Sequence, residues 1–203
     1  MILKNNIIKT IDKTQRCQRN WDLNKQIPKE DLDTIIYAIA NAPSKQNLQY
    51  FNLHVVTNRE KIESIYEGTN VLSGRRKNPQ VLANVLFVFT QVIPNEAVYF
   101  LNKKEDKQYG HDKDLFLCTG IAAGYGALVA GLLGYETGFC KCFPKTNDLK
   151  KILNTKEAFS LMLGVGCGDK TKHRREDHMT KEIVESFNKN EQLEIFYHAW
   201  RYR

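Results

Sequence analysis

Leu3, Ile7 and Ile11 stand four residues apart in an otherwise polar start, a spacing that predicts an amphipathic helix over residues 1–14. The polar stretch TQRCQRNWDLNKQI follows with neither helical nor strand period. Pro28 opens a second predicted helix with Leu32, Ile35, Ile36 and Ile39 on one face, and Asn41 and Pro43 close it. The run APSKQNLQYF reads as a loop leading into a strand at about 51–57. Asn58 is placed to cap a short helix carrying Ile62, Ile65 and Tyr66, because its side-chain oxygen can take an orphan N–H of the first turn. Residues 68–80 are loop-like and basic.

Two later runs change character. VLFVFTQV, residues 85–92, is continuously apolar, β-branched and aromatic, as a central strand buried on both faces should be. FSLMLGVG, residues 159–166, predicts a second buried strand. Between them, 94–113 is polar with interspersed Tyr99, Phe100 and Tyr109 and reads as a lid insertion. A Gly-rich helix is expected from about 112 to 133, then TGFCKCF as strand or loop, a short helix near 147–153, and a last helix over 180–188. The tail keeps Leu193, Ile195, Phe196, Tyr197 and Trp200, apolar side chains that need something to cover, either the domain itself or a second subunit. No linker or repeat divides the chain, so one α+β domain over 1–203 is expected, with helices on a sheet.

Six glycines fall between residues 120 and 139, where each weakens a helix by up to ~1 kcal/mol. Such density implies close approach of another backbone or a flat ligand. The same stretch tempts a membrane reading, but Glu136 and an expected helix end near Gly134 leave too short an apolar run for roughly 30 Å of hydrocarbon. A buried helix and no membrane partner are expected.

Composition narrows the class only in part. Twelve Gly and five Pro in 203 residues exclude collagen-like and Gly/Pro-rich disordered chains. The net charge of +7 favours anionic partners without choosing among phosphate, nucleic acid and membrane. Aromatics do not interleave with the basic segments 74–77 and 170–175 as a stacking surface requires, so nucleic acid is not expected. Five cysteines, an odd count, argue against a disulfide framework. With Lys4 and Lys9 ahead of any long apolar run, a cytoplasmic location is expected. No CxxC pair exists, so no metal is expected.

Candidate chemistry lies in three clusters. Arg16 and Arg19 offer two guanidiniums suited to phosphate oxygens, although paired Arg on a solvated turn are commoner. Pro43-Ser44-Lys45-Gln46-Asn47 gathers hydroxyl, ammonium and amides at a helix end, as a plain turn also does. Lys170, Lys172, His173, Arg174 and Arg175 follow a buried strand, as a solvated charge run would.

The order of these elements resembles the FMN-dependent nitroreductase family over nearly the whole chain. Gln15-Arg16-Cys17-Gln18-Arg19-Asn20-Trp21 is similar to an opening Arg-Arg-Ser-x-Arg-x-aromatic motif. Ala42-Pro43-Ser44-Lys45-Gln46-Asn47-Leu48-Gln49-Tyr50-Phe51 is similar to an Ala-Pro-Ser-x-x-Asn-x-Gln-Pro-aromatic loop, the most specific of the four. Ala127–Phe143 matches a small-residue helix followed by Leu-Gly and a strand, and Lys172 with Arg174, or Arg175 in the competing register, matches a basic pair after the last core strand.

The resemblance implies a three-layer α/β/α sandwich with a mostly antiparallel central sheet, in an intertwined homodimer with FMN at the subunit interface. It implies that NAD(P)H, as co-substrate, delivers hydride to flavin N5 in a ping-pong cycle whose acceptors are nitroaromatics, quinones or similar conjugated small molecules. No side chain would be catalytic. Arg16, Cys17, Arg19, Lys172, Arg174 and Arg175 fall at its phosphate positions, and Pro43, Ser44, Lys45 and Asn47 in its flavin loop. Phe139, Cys140, Lys141 and Cys142 would line the ring, with Arg76 and Asn78 competing with Arg75 for a further contact. Phe100 or Tyr99 would meet the acceptor, and 189–203 would extend over the partner subunit. Gln15, Cys17 and Tyr50 depart from the pattern, and Lys141-Cys142 stands where many relatives carry Glu-Gly. The alternative they raise is a flavin-binding protein of the same fold with a storage, flavin-fragmenting or regulatory role.

Overall fold

In the computed structural model, which describes residues 2–69, 78–94, 104–142 and 145–172, the VLFVFTQ run is strand β2 (Val85–Gln91) at the middle of a four-stranded sheet. Its neighbours are β1 (Phe51–Val56) and β4 (Phe159–Gly166), and β3 (Glu136–Cys140) closes the order β1-β2-β4-β3. All three pairings are antiparallel, with Leu53 opposite Phe89, Phe87 opposite Leu163, and Gly138 opposite Gly164. Six of the seven β2 residues are buried, which is why the run carries no alternation: both faces of the sheet are covered.

Helices α1 (Ile2–Thr14), α2 (Lys29–Ala40) and α4 (Lys104–Leu132) lie on one side and α3 (Arg59–Gly68) and α5 (Thr146–Leu153) on the other. Side-chain alternation in β2 feeds two cores. Val85, Phe87 and Phe89 pack with Ile35, Ile39, Ala123 and Ala127, whereas Leu86 and Val88 pack with Ile62, Ile65 and Leu149. The expected three-layer arrangement with an antiparallel sheet is therefore present. Asn58 caps α3 as predicted, its Oδ1 accepting from Lys61 N at 2.8 Å.

Two expectations change. The helix placed at 112–133 begins at Lys104, so ten residues of the expected lid, 104–113, are helical; 95–103 lie outside the described residues. The continuous apolar stretch is also longer than the sequence reading allowed: 112–132 is long and apolar enough to cross a membrane by length and composition, and half of that window is buried within the domain. On α1, small residues make the contact with the domain. Thr10 and Thr14 meet α4 at Gly131, where a side chain would strike both threonine methyls, while Ile7, Ile8 and Ile11 are exposed. The small-residue contact sets the helix rotation, and the apolar stripe is left outside. The helix expected at 180–188 and the tail at 189–203 lie outside the described residues.

Candidate functional site

The basic motif after α1 is bound along the sheet edge. Gln18 N donates to Thr137 O at 2.8 Å and Asp22 N to Cys167 O at 2.8 Å, while Asp169 N donates to Asn20 O at 2.8 Å. Residues 18–22 thus tie the start of β3 to the loop after β4, and Trp21 forms a bridge with Gly168. The pairing needs bare backbone: a side chain at Gly168 would collide with Gln18 and Glu136, which are themselves hydrogen bonded. Next to it, the Pro79–Leu82 turn presses on a glycine patch. Gly138 and Gly164, paired across β3 and β4, both face Gln80, and Gly166 faces Asn84.

This threading brings together two cations far apart in sequence. Arg19 and Lys172 line one cavity of about 460 Å3, a size within the range of small-molecule sites. Arg16 is exposed on the same segment. Asp169 shares the cavity, and its carboxyl is held below the usual range by hydrogen bonds from Thr171 Oγ1 (2.7 Å) and Thr171 N (2.9 Å). Arg174 and Arg175 lie outside the described residues, as do Arg76, Tyr99 and Phe100.

Toward the other end of the motif stands the wall made by β3 and the loop after it. Cys17 Sγ accepts from Phe139 N at 3.3 Å and donates to Phe139 O at 3.7 Å, so this thiol is turned onto the strand. Cys140 is buried, with Cys142 N at 3.5 Å from its sulfur, and burial pushes its thiol up to about 12. Cys142 is exposed. Lys141 sits over the Phe116 ring at 4.4 Å from its centroid, which fixes a cation beside the loop. From Cys17 to Trp21 the chain can span at most roughly 13 Å, so the 139–142 wall and the Arg19 cavity are neighbours.

The third cluster is a strained loop. Gln46, Asn47 and Gln49 hold φ of +55°, +58° and +48°, left-handed values that non-glycine residues adopt at a cost of order 1 kcal/mol or more each. Ser44 Oγ accepts from Gln49 N at 3.1 Å, and Gln49 Nε2 donates to Ala40 O, which lock the conformation. Lys45 pairs with Asp114 of α4, a hydrogen bond that raises its pKa, and Tyr50 packs with Leu115 and Cys118 beneath. Pro43 and Asn47 are exposed. None of residues 43–49 lines the Arg19–Lys172 cavity. Asn78 is buried, donating to Thr69 O at 2.8 Å and accepting from Gln80 Nε2, so its side chain serves the turn.

Sequence reasoning placed Arg19 and Lys172 in one site but missed Asp169, Trp21 and Tyr66, which share their cavity. Asp169 lies three residues before Lys172, a signal that was available. Among the described residues no group of three or more His, Cys, Asp or Glu side chains is arranged to hold a metal ion.

The model of the nitroreductase family matches residues 13–168. The fold is similar to that of nitroreductase A of Vibrio parahaemolyticus, at 20% identity over 95% of this chain and 78% of that one, with a TM-score of 0.66. It is also similar to a Staphylococcus epidermidis protein described as an NAD(P)H:FMN oxidoreductase (19% identity, 89% and 94% coverage, TM-score 0.65). A third similar structure is an Exiguobacterium sibiricum protein described as a nitroreductase and crystallised with FMN (15% identity, 90% and 96% coverage, TM-score 0.62). Comparison with curated protein sequences gives no match.

Proposed function

The chain belongs to the nitroreductase family, and from that premise we propose that it is an FMN-dependent NAD(P)H oxidoreductase acting on conjugated acceptors such as nitroaromatics and quinones. The observation that carries this reading is the convergence of Arg19 and Lys172 on one cavity beside the 139–142 wall. Cations held by backbone threading suit a phosphate, because the guanidinium fork and the ammonium meet its oxygens with charge-assisted bonds.

In this reading Arg19 and Lys172 hold the phosphate end, with Arg16 at the mouth. The backbone of 139–142 lines the ring, and Lys141, fixed over Phe116, adds positive potential there. FMN, when bound, would supply the redox chemistry, and the protein binds, orients and excludes water.

The reading includes a homodimer. On α4, Leu117 (61% exposed), Tyr125 (46%) and Leu132 (51%) form an open apolar stripe with Gly120 and Gly124, whose missing side chains would meet nothing within 4 Å. A second copy seated there would bring its Ser44–Asn47 loop to the flavin, a loop already held in a strained conformation. Five free thiols suit a reducing cytoplasm.

The orientation of Cys17 favours a second reading. Its thiol is spent on Phe139 rather than offered to the phosphate, as drift toward flavin storage, flavin fragmentation or regulation would allow. One experiment separates the two. The purified protein, supplied with FMN, should turn yellow and bleach anaerobically with NADH or NADPH; yellow protein that does not bleach leaves the binding protein, and failure to take up FMN ends both. Arg19→Ala should weaken FMN binding by about tenfold or more, as loss of a charged hydrogen-bond donor does.

A further inference from the structure

The Arg19–Lys172 cavity has a second half that a phosphate leaves unused. Trp21, from the segment after α1, and Tyr66, from the last turns of α3, both line it, together with Pro79 and Leu82 of the turn between α3 and β2. The indole is anchored, its Nε1 donating to Pro79 O at 2.9 Å, so its polar edge is satisfied by the protein itself. Tyr66 carries a hydroxyl whose pKa is raised by burial. At the polar end, both Thr171 hydrogen bonds to Asp169 go to Oδ1, a fixed carboxylate whose Oδ2 can accept from an amine or a sugar hydroxyl. The flavin-wall residues Cys17 and 139–142 do not line this cavity.

We propose that the cavity is a subsite for a purine nucleoside phosphate, with its phosphate toward Arg19 and Lys172 and its base against Trp21 and Tyr66. Phosphate alone has no use for two aromatic walls, and a purely apolar ligand has none for the two cations and the carboxylate that share the cavity. A base with an attached sugar phosphate satisfies all of them, and aromatic walls reward a π-face whatever its sequence context. The inference rests on the flavoprotein reading for the phosphate corner and deepens it: the adenylate of FAD and free AMP share this chemistry.

The test uses Trp200→Phe protein, in which Trp21 is the remaining tryptophan of the two. Titrated AMP should quench Trp21 emission saturably below about 1 mM and displace FMN, because both use Arg19 and Lys172. Tyr66→Leu should weaken AMP by about tenfold and leave FMN affinity within about twofold. Leu82→Phe, which fills the cavity from the other side without adding a tryptophan, should give the same split, with thermal melting confirming that both variants fold. FAD binding tighter than FMN in the parent but not in Tyr66→Leu identifies a dinucleotide cofactor; AMP binding with no preference for FAD over FMN identifies a free nucleotide. No saturable quenching at millimolar AMP, or equal weakening of AMP and FMN in Tyr66→Leu, overturns the proposal. FMN uptake without AMP binding ends this inference alone, and AMP binding without FMN uptake ends the flavoprotein reading alone.

Discussion

On α4, Gly126 and Gly131 face into the domain and Gly120 and Gly124 face out of it. A side chain at Gly126 would lie 2.6 Å from Ile39 Cγ1, and one at Gly131 would be 2.5 Å from Thr14 Cγ2. At Gly120 and Gly124 there is open space. The inner pair is explained by the fold, since Ile39 of α2 presses on α4 at Gly126 and Thr10 and Thr14 of α1 press on it at Gly131. The outer pair is not. Glycine in an exposed helix costs up to ~1 kcal/mol, and among the described residues nothing packs there to offset it; the homodimer proposed above would. The dense glycines of the sequence thus fall on two faces, one packed within the domain and one open.

Substitutions can break this contrast. Gly126→Val should be the most damaging, lowering stability by about 3 kcal/mol through overpacking against Ile39, read as a fall in thermal midpoint. Next comes the packed and open pair of thiols in Cys140-Lys141-Cys142. Burial holds the Cys140 thiol protonated in the folded protein, so its contribution is intact below pH 9 and lost as pH rises toward about 12, by up to about 1.4 kcal/mol per pH unit. Denaturant unfolding across that window should show the slope, and Cys140→Ala should remove it; alkylation at neutral pH should label Cys142 and spare Cys140.

Gly124→Ala is a smaller effect whose sign is informative. In isolated subunits it should stabilise by about 0.5–1 kcal/mol through helix propensity, while sedimentation should show weaker association. Unchanged association would remove the outer face from the dimer. Asp114→Asn, which breaks the half-exposed pair with Lys45, should cost less than about 1 kcal/mol. Its value is in FMN affinity per dimer: a drop there, with stability unchanged, places the strained loop in the flavin site.

Much of the fold was legible because strands β2 and β4 are buried on both sides and so read as unbroken apolar runs. Asn58 was legible because capping is local. The start of α4 was not, since 104–113 is polar without apolar period and looks like a loop until tertiary packing is known. The rotation of α1 was not legible for a related reason: periodicity identifies the apolar stripe but not whether the domain or something outside covers it. In the site, Arg19 and Lys172 could be paired only through motif order, because their segments meet through main-chain bonds at Asn20 and Asp22, which residues of many types could make. The left-handed Gln46, Asn47 and Gln49 carry no glycine to announce them.

The glycine patch under Gln80 and Asn84 has a thermal consequence. There the sheet buries peptide groups where other layers bury hydrocarbon, so opening this corner exposes polar surface and adds little to the heat-capacity increment of unfolding. Its hold, through contacts such as Asn84 Oδ1 accepting from Cys167 N at 3.0 Å, is enthalpic and does not fade on cooling as apolar burial does. The two hydrophobic layers should therefore loosen first in the cold, with the corner that carries Arg19 and Lys172 the last part to lose its shape.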